Sequence, residues 1–317
     1  MSFLRSLALC VAAVALPAFA ADAPVKLVEP KPLTPGHQVI RLFPDGHPAL
    51  KALEGADQEE KWTVQNGRVA KAVNIHVPTI ELYAPAEGKA NGMSVILSPG
   101  GGNKDLWVGP EGTDVAKWLN ELGVTCFVHR YRLQPYGSAT DALVETQRAV
   151  RIIRASAKEY GVDPRKIGHM GFSAGGEQTA RLALTYDAGK ADAADPVDRV
   201  SSRPDWVCLV YPGWKPDTLD MTKVPKDVPP TFLVTAGTDD VFHARQTVEL
   251  YNALFEVGVK QKPKPLNLEM HIYGRGGHGG SIGPRKGIPF GSWPQRFVEW
   301  ARDAGMMGAA ATQAPVK

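Results

Sequence analysis

The chain has 317 residues, of which 44% are hydrophobic and 22% charged, so it can bury one large core or at most two modest ones. Its formal net charge is only +3, and its basic residues form no block with interleaved aromatic residues. We therefore expect no nucleic-acid partner, and the charge balance indicates no other class of partner.

Residues 1–20 have the composition of a secretory signal peptide. Arg5 precedes an apolar run from Leu7 to Leu16, and Ala18-Phe19-Ala20 has the small-x-small pattern of a cleavage site. The alternative, a membrane anchor, is disfavoured because the apolar run is shorter than the ~20 residues that a membrane-spanning helix needs. We expect cleavage after Ala20, no membrane anchor after cleavage, and a secreted or periplasmic protein.

Residues 21–48 are rich in proline and glycine, and we expect them to form an extended arm over the surface. Strand and helix patterns alternate through residues 49–305 without a repeat or a linker, which indicates one domain, and residues 306–317 are expected to form a flexible tail. The predicted strands are Ile75–Tyr83, Ser94–Leu97, Thr125–Val128, Lys166–Met170, Trp206–Tyr211, Thr231–Ala236 and Leu268–Tyr273. The predicted helices are Val115–Leu122, Asp141–Tyr160, Glu177–Tyr186, Ala244–Glu256 and Trp293–Ala304. This alternation predicts the α/β class, with a mostly parallel central sheet and helices on both faces.

Cys126 and Cys208 are the two cysteines that remain after cleavage, and each lies inside an apolar predicted strand. The expected strand order places them on non-adjacent strands, ~14 Å apart at ~4.8 Å per strand, which is too far for a disulfide. We expect two buried free thiols.

The segment Gly171-Phe172-Ser173-Ala174-Gly175-Gly176 joins a predicted strand to a predicted helix. A serine in such a sharp turn needs neighbours with almost no side chain, because the backbone on either side comes very close. Strand, G-x-S-x-G turn and helix together predict a nucleophile elbow, with Ser173 as the nucleophile.

A serine nucleophile needs a base and a group that orients the base. The strand Thr231–Ala236 is followed by Asp239 and Asp240, and the strand Leu268–Tyr273 is followed by a glycine-rich loop that contains His278. We predict His278 as the base and Asp239 as its partner, chosen over Asp240 by the pattern Asp-x-Val-hydrophobic, although Asp240 stays open. The order serine, aspartate, histidine is that of α/β-hydrolases.

Pro99-Gly100-Gly101-Gly102 follows another predicted strand. Consecutive glycines let backbone N–H groups point at an oxyanion, and we predict Gly101, Gly102 and Ala174 as the donors. A phosphate-binding loop is the alternative, but such loops carry Lys followed by Ser or Thr, whereas Lys104 is followed by Asp105 here.

These motifs together resemble the secreted acetyl xylan esterase-like α/β-hydrolases, which are related to feruloyl esterases and to hormone-sensitive-lipase-like esterases. The matching motifs are Pro99-Gly100-Gly101-Gly102, Glu111-Gly112, Tyr131-Arg132, the serine elbow, Pro229-Pro230-Thr231-Phe232-Leu233 and Gly276-Gly277-His278-Gly279. The resemblance covers roughly residues 94–300. It implies a serine esterase that removes acetyl groups from plant polysaccharide or its oligomers, with no metal and no organic cofactor.

The chain departs from the resemblance at Asn103 and Gly280, where relatives often carry aromatic residues, so contacts to the acyl group or the sugar are expected to differ. Asn103, Trp107, Tyr136 and Trp214 follow strands and are the candidate substrate-binding residues. The connection between the strands ending at Tyr211 and beginning at Thr231 has no long amphipathic helix, which predicts little or no lid and a preference for short acyl chains.

Feruloyl esterase, short-chain lipase or polyester hydrolase, and an inactive carbohydrate-binding homologue remain as alternatives. The oligomeric state stays open.

Overall fold

The computed structural model describes residues 27–50, 57, 59–238, 240–260, 266–283, 285 and 287–308. The predicted signal peptide, residues 1–20, lies outside the described residues, as does most of the predicted C-terminal tail. Within the described part of the chain, no helix is long and apolar enough to cross a membrane.

An eight-stranded sheet forms the centre of the molecule, in the order β1-β4-β6-β5-β7-β8-β9-β10. The strands of the sheet are β1 (Val39–Arg41), β4 (Thr79–Tyr83), β5 (Ser94–Ser98), β6 (Thr125–Arg130), β7 (Ile167–Phe172), β8 (Trp206–Val210), β9 (Thr231–Ala236) and β10 (Leu268–Tyr273). β4 runs antiparallel to both β1 and β6, and all other neighbours are parallel. The prediction of a mostly parallel sheet is confirmed.

Helices cover both faces of this sheet, also as predicted. They are α1 (Asp114–Glu121), α2 (Asp141–Ala155), α3 (Ala174–Thr185), α4 (Val241–Gly258) and α5 (Trp293–Asp303). In β5, Val95 and Leu97 belong to the core that contains α1 and α5, whereas Ile96 belongs to the core that contains α2. Successive side chains of a strand point to opposite faces, so one fully buried strand serves two cores.

The N-terminal arm is not confined to the surface, in contrast to the expectation from its composition. Its residues Val39–Arg41 pair with β4 as the antiparallel edge strand, and Leu33, Leu42 and Phe43 are buried. Burial removes these apolar side chains from water and so stabilises the fold. The proline and glycine content of the arm had led us to expect a surface segment.

A two-stranded antiparallel hairpin was not predicted from the sequence. It consists of β2 (Lys61–Gln65) and β3 (Arg68–Val73), joined by Asn66 and Gly67, which have φ angles of 51° and 73°. Tight hairpin turns prefer the dipeptide Asn-Gly, so the sequence does contain a turn pattern that indicates this hairpin. Ala72 also pairs with Leu106, which ties this hairpin to the segment after β5.

Cys126 and Cys208 are buried free thiols, as predicted. They lie on β6 and β8, which the sheet order separates by two intervening strands, β5 and β7. Burial raises the pKa of both thiols well above the usual value, so they behave as small apolar core residues.

Candidate active site

Ser173 stands between β7 and α3 in a strained backbone conformation, with φ 51° and ψ −117°. A Cβ atom at Gly171 would overlap the carbonyl oxygen of Gly175, and one at Gly175 would overlap that of Ser98. The turn is therefore possible only with glycine at these two positions. The Ser173 side chain lies at the carboxyl end of the sheet, where reactive groups of parallel sheets collect.

His278 lies in the loop after β10 and contacts Ser173 directly. Its Nε2 is 2.9 Å from Ser173 Oγ, and its Nδ1 is 2.9 Å from Asp240 Oδ2. A carboxylate only accepts hydrogen bonds, so Nδ1 carries the proton and Nε2 is left to accept the serine hydroxyl proton. The histidine is held in the tautomer that a general base requires.

The carboxylate that meets His278 belongs to Asp240, whereas the sequence pattern favoured Asp239. Asp239 itself lies outside the described residues. Asp240 is the residue directly before α4, and its N–H is bonded to the carbonyl of Gly237 at 3.2 Å. This turn leaves the Asp240 side chain 7% exposed and aimed at the histidine loop. The spacing of residues within the turn decides which aspartate faces His278, and a sequence pattern of this kind did not resolve it.

The glycine loop after β5 supplies backbone donors beside Ser173. Gly101 and Gly102 have φ angles of 137° and 63°, conformations that side chains rarely permit, and both line the same cavity as Ser173 and His278. Among the described residues, neither N–H group of these two glycines has an acceptor. The third predicted donor, Ala174, is the first residue of α3, where a backbone N–H has no partner within the helix.

Gly100 is held in place by a buried carboxyl group, that of Glu111. Its N–H donates to Glu111 Oε2 at 2.7 Å, and Tyr211 Oη donates to Glu111 Oε1 at 2.8 Å. Tyr211 Oη in turn accepts the N–H of Ser281 at 3.0 Å. Glu111 thus links the glycine loop to the loop that carries His278. The sequence showed Glu111 only as part of a motif, without a role.

We expect Glu111 to make stability depend on pH. Burial raises the pKa of Glu111 from 4.5 to about 7, although the bonds from Tyr211 and Gly100 act in the opposite direction. Because the folded state keeps a proton that the unfolded chain has already released, stability is lost as the pH rises from about 4.5 to about 7, by up to about 3 kcal/mol. Glu111→Gln keeps an acceptor for Gly100 and removes the titration.

The measurement is the free energy of unfolding of wild type and Glu111→Gln, by urea denaturation at pH 4.5 and well above pH 7. The wild-type protein should lose stability relative to the variant over this range. Glu299→Gln, at an exposed carboxyl on α5, is the matched control and should show no such trend. If the difference in stability between wild type and Glu111→Gln does not change with pH, the pH dependence is wrongly assigned to Glu111.

The cavity above Ser173 has a volume of about 650 Å³. Its lining residues are Gly101, Gly102, Trp107, Pro110, Glu111, Ser173, His243, His278, Gly279 and Gly280. Of the four candidate substrate-binding residues, only Trp107 is among them. Trp107 is 37% exposed, and Lys71 Nζ lies 3.9 Å from the centre of its ring.

The other three candidates have structural partners instead. Asn103 Nδ2 donates to Glu177 Oε2 at 3.2 Å, and Tyr136 Oη is 2.8 Å from His76 Nδ1. Trp214 is 5% exposed and packs in the core beside α4. Position after a strand was therefore insufficient to find residues of the cavity.

The structure buries two other histidines, His129 and His169, inside the sheet. Ser98 Oγ is 3.1 Å from His129 Nδ1 and 3.0 Å from His169 Nε2. Burial lowers the pKa of both imidazoles, so they are neutral core residues.

Sequence reasoning missed His243 in the first turn of α4. Asp240, His243 and His278 place their possible ligand atoms within 4.8 Å of one another, which is a donor set that a metal ion accepts. Both imidazoles already donate to the Asp240 carboxylate, however, and His278 also meets Ser173. These hydrogen bonds between the three side chains and Ser173 account for the cluster without a metal ion. The absence of a metal and a cofactor stays a prediction.

Comparison with known proteins finds one matching family model and several similar proteins. Residues 80–204 match the family model BD-FAE. An acetylxylan esterase of Xylanibacter ruminicola is 27% identical over 238 residues, 68% of this chain and 45% of that protein. Endo-1,4-beta-xylanase B of Butyrivibrio fibrisolvens is 28% identical over 211 residues, 58% of this chain and 32% of that protein. The chain thus spans less than half the length of these two curated relatives.

Among solved structures, the acetyl ester-xyloside bifunctional hydrolase of Caldicellulosiruptor lactoaceticus superposes with a TM-score of 0.69 at 26% identity. The match covers 86% of this chain and 97% of that chain, so nearly the whole of that hydrolase is represented. The chain thus has the α/β-hydrolase fold and is similar to esterases, among them an acetylxylan esterase.

Proposed function

We propose that this protein is an exported serine esterase that hydrolyses short-chain esters, chiefly acetyl groups on a plant polysaccharide such as xylan or its oligomers. The observation that supports it most is the chain of contacts from Ser173 Oγ to His278 Nε2 and from His278 Nδ1 to Asp240 Oδ2, each 2.9 Å. These contacts lie at a cavity whose lining includes Gly101 and Gly102, and the N–H groups of these two glycines have no acceptor among the described residues. The acetylxylan esterase relative supports the polysaccharide substrate, and the composition of residues 1–20 supports export.

The mechanism is a two-step acyl transfer. His278 Nε2 takes the proton of Ser173 Oγ as the oxygen attacks the ester carbonyl, and Asp240 stabilises the imidazolium that forms. The N–H groups of Gly101, Gly102 and Ala174 hold the oxyanion. His278 returns the proton to the leaving alcohol, and a water molecule, activated by His278, then releases the acid and regenerates Ser173.

The walls of the cavity favour a short acyl group. Glu111 is one of its lining residues, and a carboxyl that is charged above pH about 7 is a poor neighbour for a long alkyl chain. Residues 211–230, between β8 and β9, form no helix other than the single turn Met221–Lys223, so this connection places no helical lid over the site. An open site of this kind suits a polymer-borne ester.

We expect p-nitrophenyl acetate to be hydrolysed much faster than p-nitrophenyl dodecanoate. Because the carboxyl group of Glu111 in the cavity wall is a poor neighbour for added methylenes, kcat/KM should fall along an acyl series from acetate upward. Comparable kcat/KM values for the acetyl and dodecanoyl esters would contradict the proposal and favour a lipase or polyester hydrolase.

The natural ester is tested by measuring the groups released from acetylated xylan, other acetylated glycans and feruloylated arabinoxylan. The proposal expects acetate as the main product. Release of ferulate in preference to acetate would instead assign the feruloyl esterase function, and no release of either, with no labelling by a fluorophosphonate, would indicate an inactive carbohydrate-binding homologue.

A further inference from the structure

Asp240 is bonded to two histidines rather than one. His278 Nδ1 lies 2.9 Å from Oδ2, and His243 Nδ1 lies 2.6 Å from Oδ1. Since a carboxylate only accepts, both Nδ1 atoms are donors and both oxygens of Asp240 are engaged. The carboxylate therefore cannot rotate without breaking one of these two bonds.

The two imidazole rings also stack on each other. Their centres are 3.8 Å apart and their planes differ by 14°. One face of His278 is thereby covered by His243, and the ring of Tyr211 lies at 68° to it with the ring centres 4.9 Å apart. The catalytic ring is confined by its neighbours as well as by its hydrogen bonds.

The surroundings of His243 favour its uncharged form. The charged and titratable groups that face it are Asp240 and His278, with Glu111 on the same cavity, while Phe242 and Gln246 beside it carry no charge. Burial lowers the pKa of His243, its hydrogen bond to Asp240 opposes this, and the charge of His278 lowers it further. A neutral His243 adds no repulsion to the imidazolium that forms on His278 during the reaction.

The fold leaves a space that fits His243. A Cβ atom at Gly213, in the segment after β8, would overlap Cδ2 and Nε2 of His243. The N–H of Gly213 also donates to the carbonyl oxygen of Ser173 at 3.1 Å. The same glycine thus supports the nucleophile turn and accommodates the second histidine.

Given the function proposed above, we propose that His243 is a positioning residue for the reaction: it fixes the Asp240 carboxylate by its second oxygen and holds the ring of His278 against Ser173. The geometry assigns it no contact with the reacting atoms of the ester. Its effect should appear in kcat and in the pH profile, with little change in KM.

The first test replaces His243 by two residues that separate its functions. His243→Phe keeps an aromatic ring against His278 but has no donor, and we expect kcat for p-nitrophenyl acetate to fall about 10- to 100-fold with KM nearly unchanged. His243→Asn keeps an N–H donor close to the position of Nδ1 and should recover most of the activity. In His243→Phe the pH profile of kcat should also differ from that of the wild type, because the Asp240 carboxylate then accepts a hydrogen bond from His278 alone.

The second test uses Gly213→Ala, whose φ lies outside the left-handed region, so that the added methyl group acts mainly on His243. We expect it to lower kcat in the wild type but to have no further effect in His243→Ala, whose side chain lacks the atoms that the methyl group would meet. The comparison of Gly213→Ala in these two backgrounds tests the positioning role of His243 even if His243→Phe fails to fold.

His271→Phe is the matched control, because it removes a histidine–carboxylate bond of the same length, 2.6 Å to Glu269, on β10 and outside the cavity lining. It should leave kcat and the pH profile unchanged. Wild-type kcat and an unchanged pH profile in His243→Phe, or an equal loss from Gly213→Ala in both backgrounds, would overturn the proposal. Full activity of Ser173→Ala would instead overturn the proposed function, so the two failures are distinguishable.

Discussion

Ser173→Ala should lower kcat for p-nitrophenyl acetate by about 10⁴- to 10⁶-fold, the loss that removal of the nucleophile causes in serine hydrolases. The reason is that Oγ is the atom that forms the covalent bond to the acyl group, and neither His278 nor the glycine donors replace it. The oxyanion donors remain, so a residual rate above that of uncatalysed hydrolysis is expected. The measurement is the steady-state rate together with labelling by a fluorophosphonate, which should be lost in this variant.

The fold of Ser173→Ala is expected to remain intact, because the change removes one hydrogen bond to His278 and leaves Gly171 and Gly175 in place. Circular dichroism and the melting temperature would check this. Ser156→Ala, at the C-terminal end of α2 and outside the cavity lining, should keep both the rate and the label. Near wild-type turnover by Ser173→Ala would show that another group is the nucleophile.

The central fold was predictable because its strands are short apolar runs that alternate with helices. β9 and β10 have the predicted bounds, and β5 differs by one residue. A strand that is buried on both faces is a run of consecutive apolar residues, because burial of a charged side chain on either face would destabilise the fold.

The peripheral strands were harder to predict. β1 is three residues long and partly exposed, and β2 and β3 form a separate hairpin whose β2 is mostly exposed. Such strands carry little apolar pattern, because they bury little surface. Only the Asn66-Gly67 turn marked the hairpin in the sequence.

The residues of the candidate site were likewise predictable only in part. Ser173 and His278 stand in glycine-rich turns that follow strands, and this local pattern was sufficient to bring them together in the prediction. Glu111, Tyr211 and His243 are joined to the site by contacts between distant parts of the chain, such as the bond that spans the 100 positions between Tyr211 and Glu111. No local pattern encodes contacts of that kind, and only the folded chain reveals them.

The second large loss of kcat is expected from a substitution at Asp240, one of the two neighbouring aspartates. Asp240→Asn should lower kcat by about 10⁴-fold, because an amide at this position can donate to His278 Nδ1 and so stabilise the wrong tautomer, with the proton on Nε2. Asp240 Oδ2 is the acceptor that prevents this, at 2.9 Å. The change is nearly isosteric, so the measurement of kcat can be made on a folded protein.

Asp239→Asn is the matched control, because it makes the same chemical change one residue earlier in the chain. It should retain close to wild-type kcat if Asp240 is the partner of His278. The opposite outcome, a large loss in Asp239→Asn and a small one in Asp240→Asn, would restore the choice that the sequence pattern favoured and would require the loop after β9 to rearrange during the reaction. Because His243 also depends on Asp240, the loss in Asp240→Asn should exceed that in His243→Phe, and this ranking is a check on both assignments within one set of rate measurements.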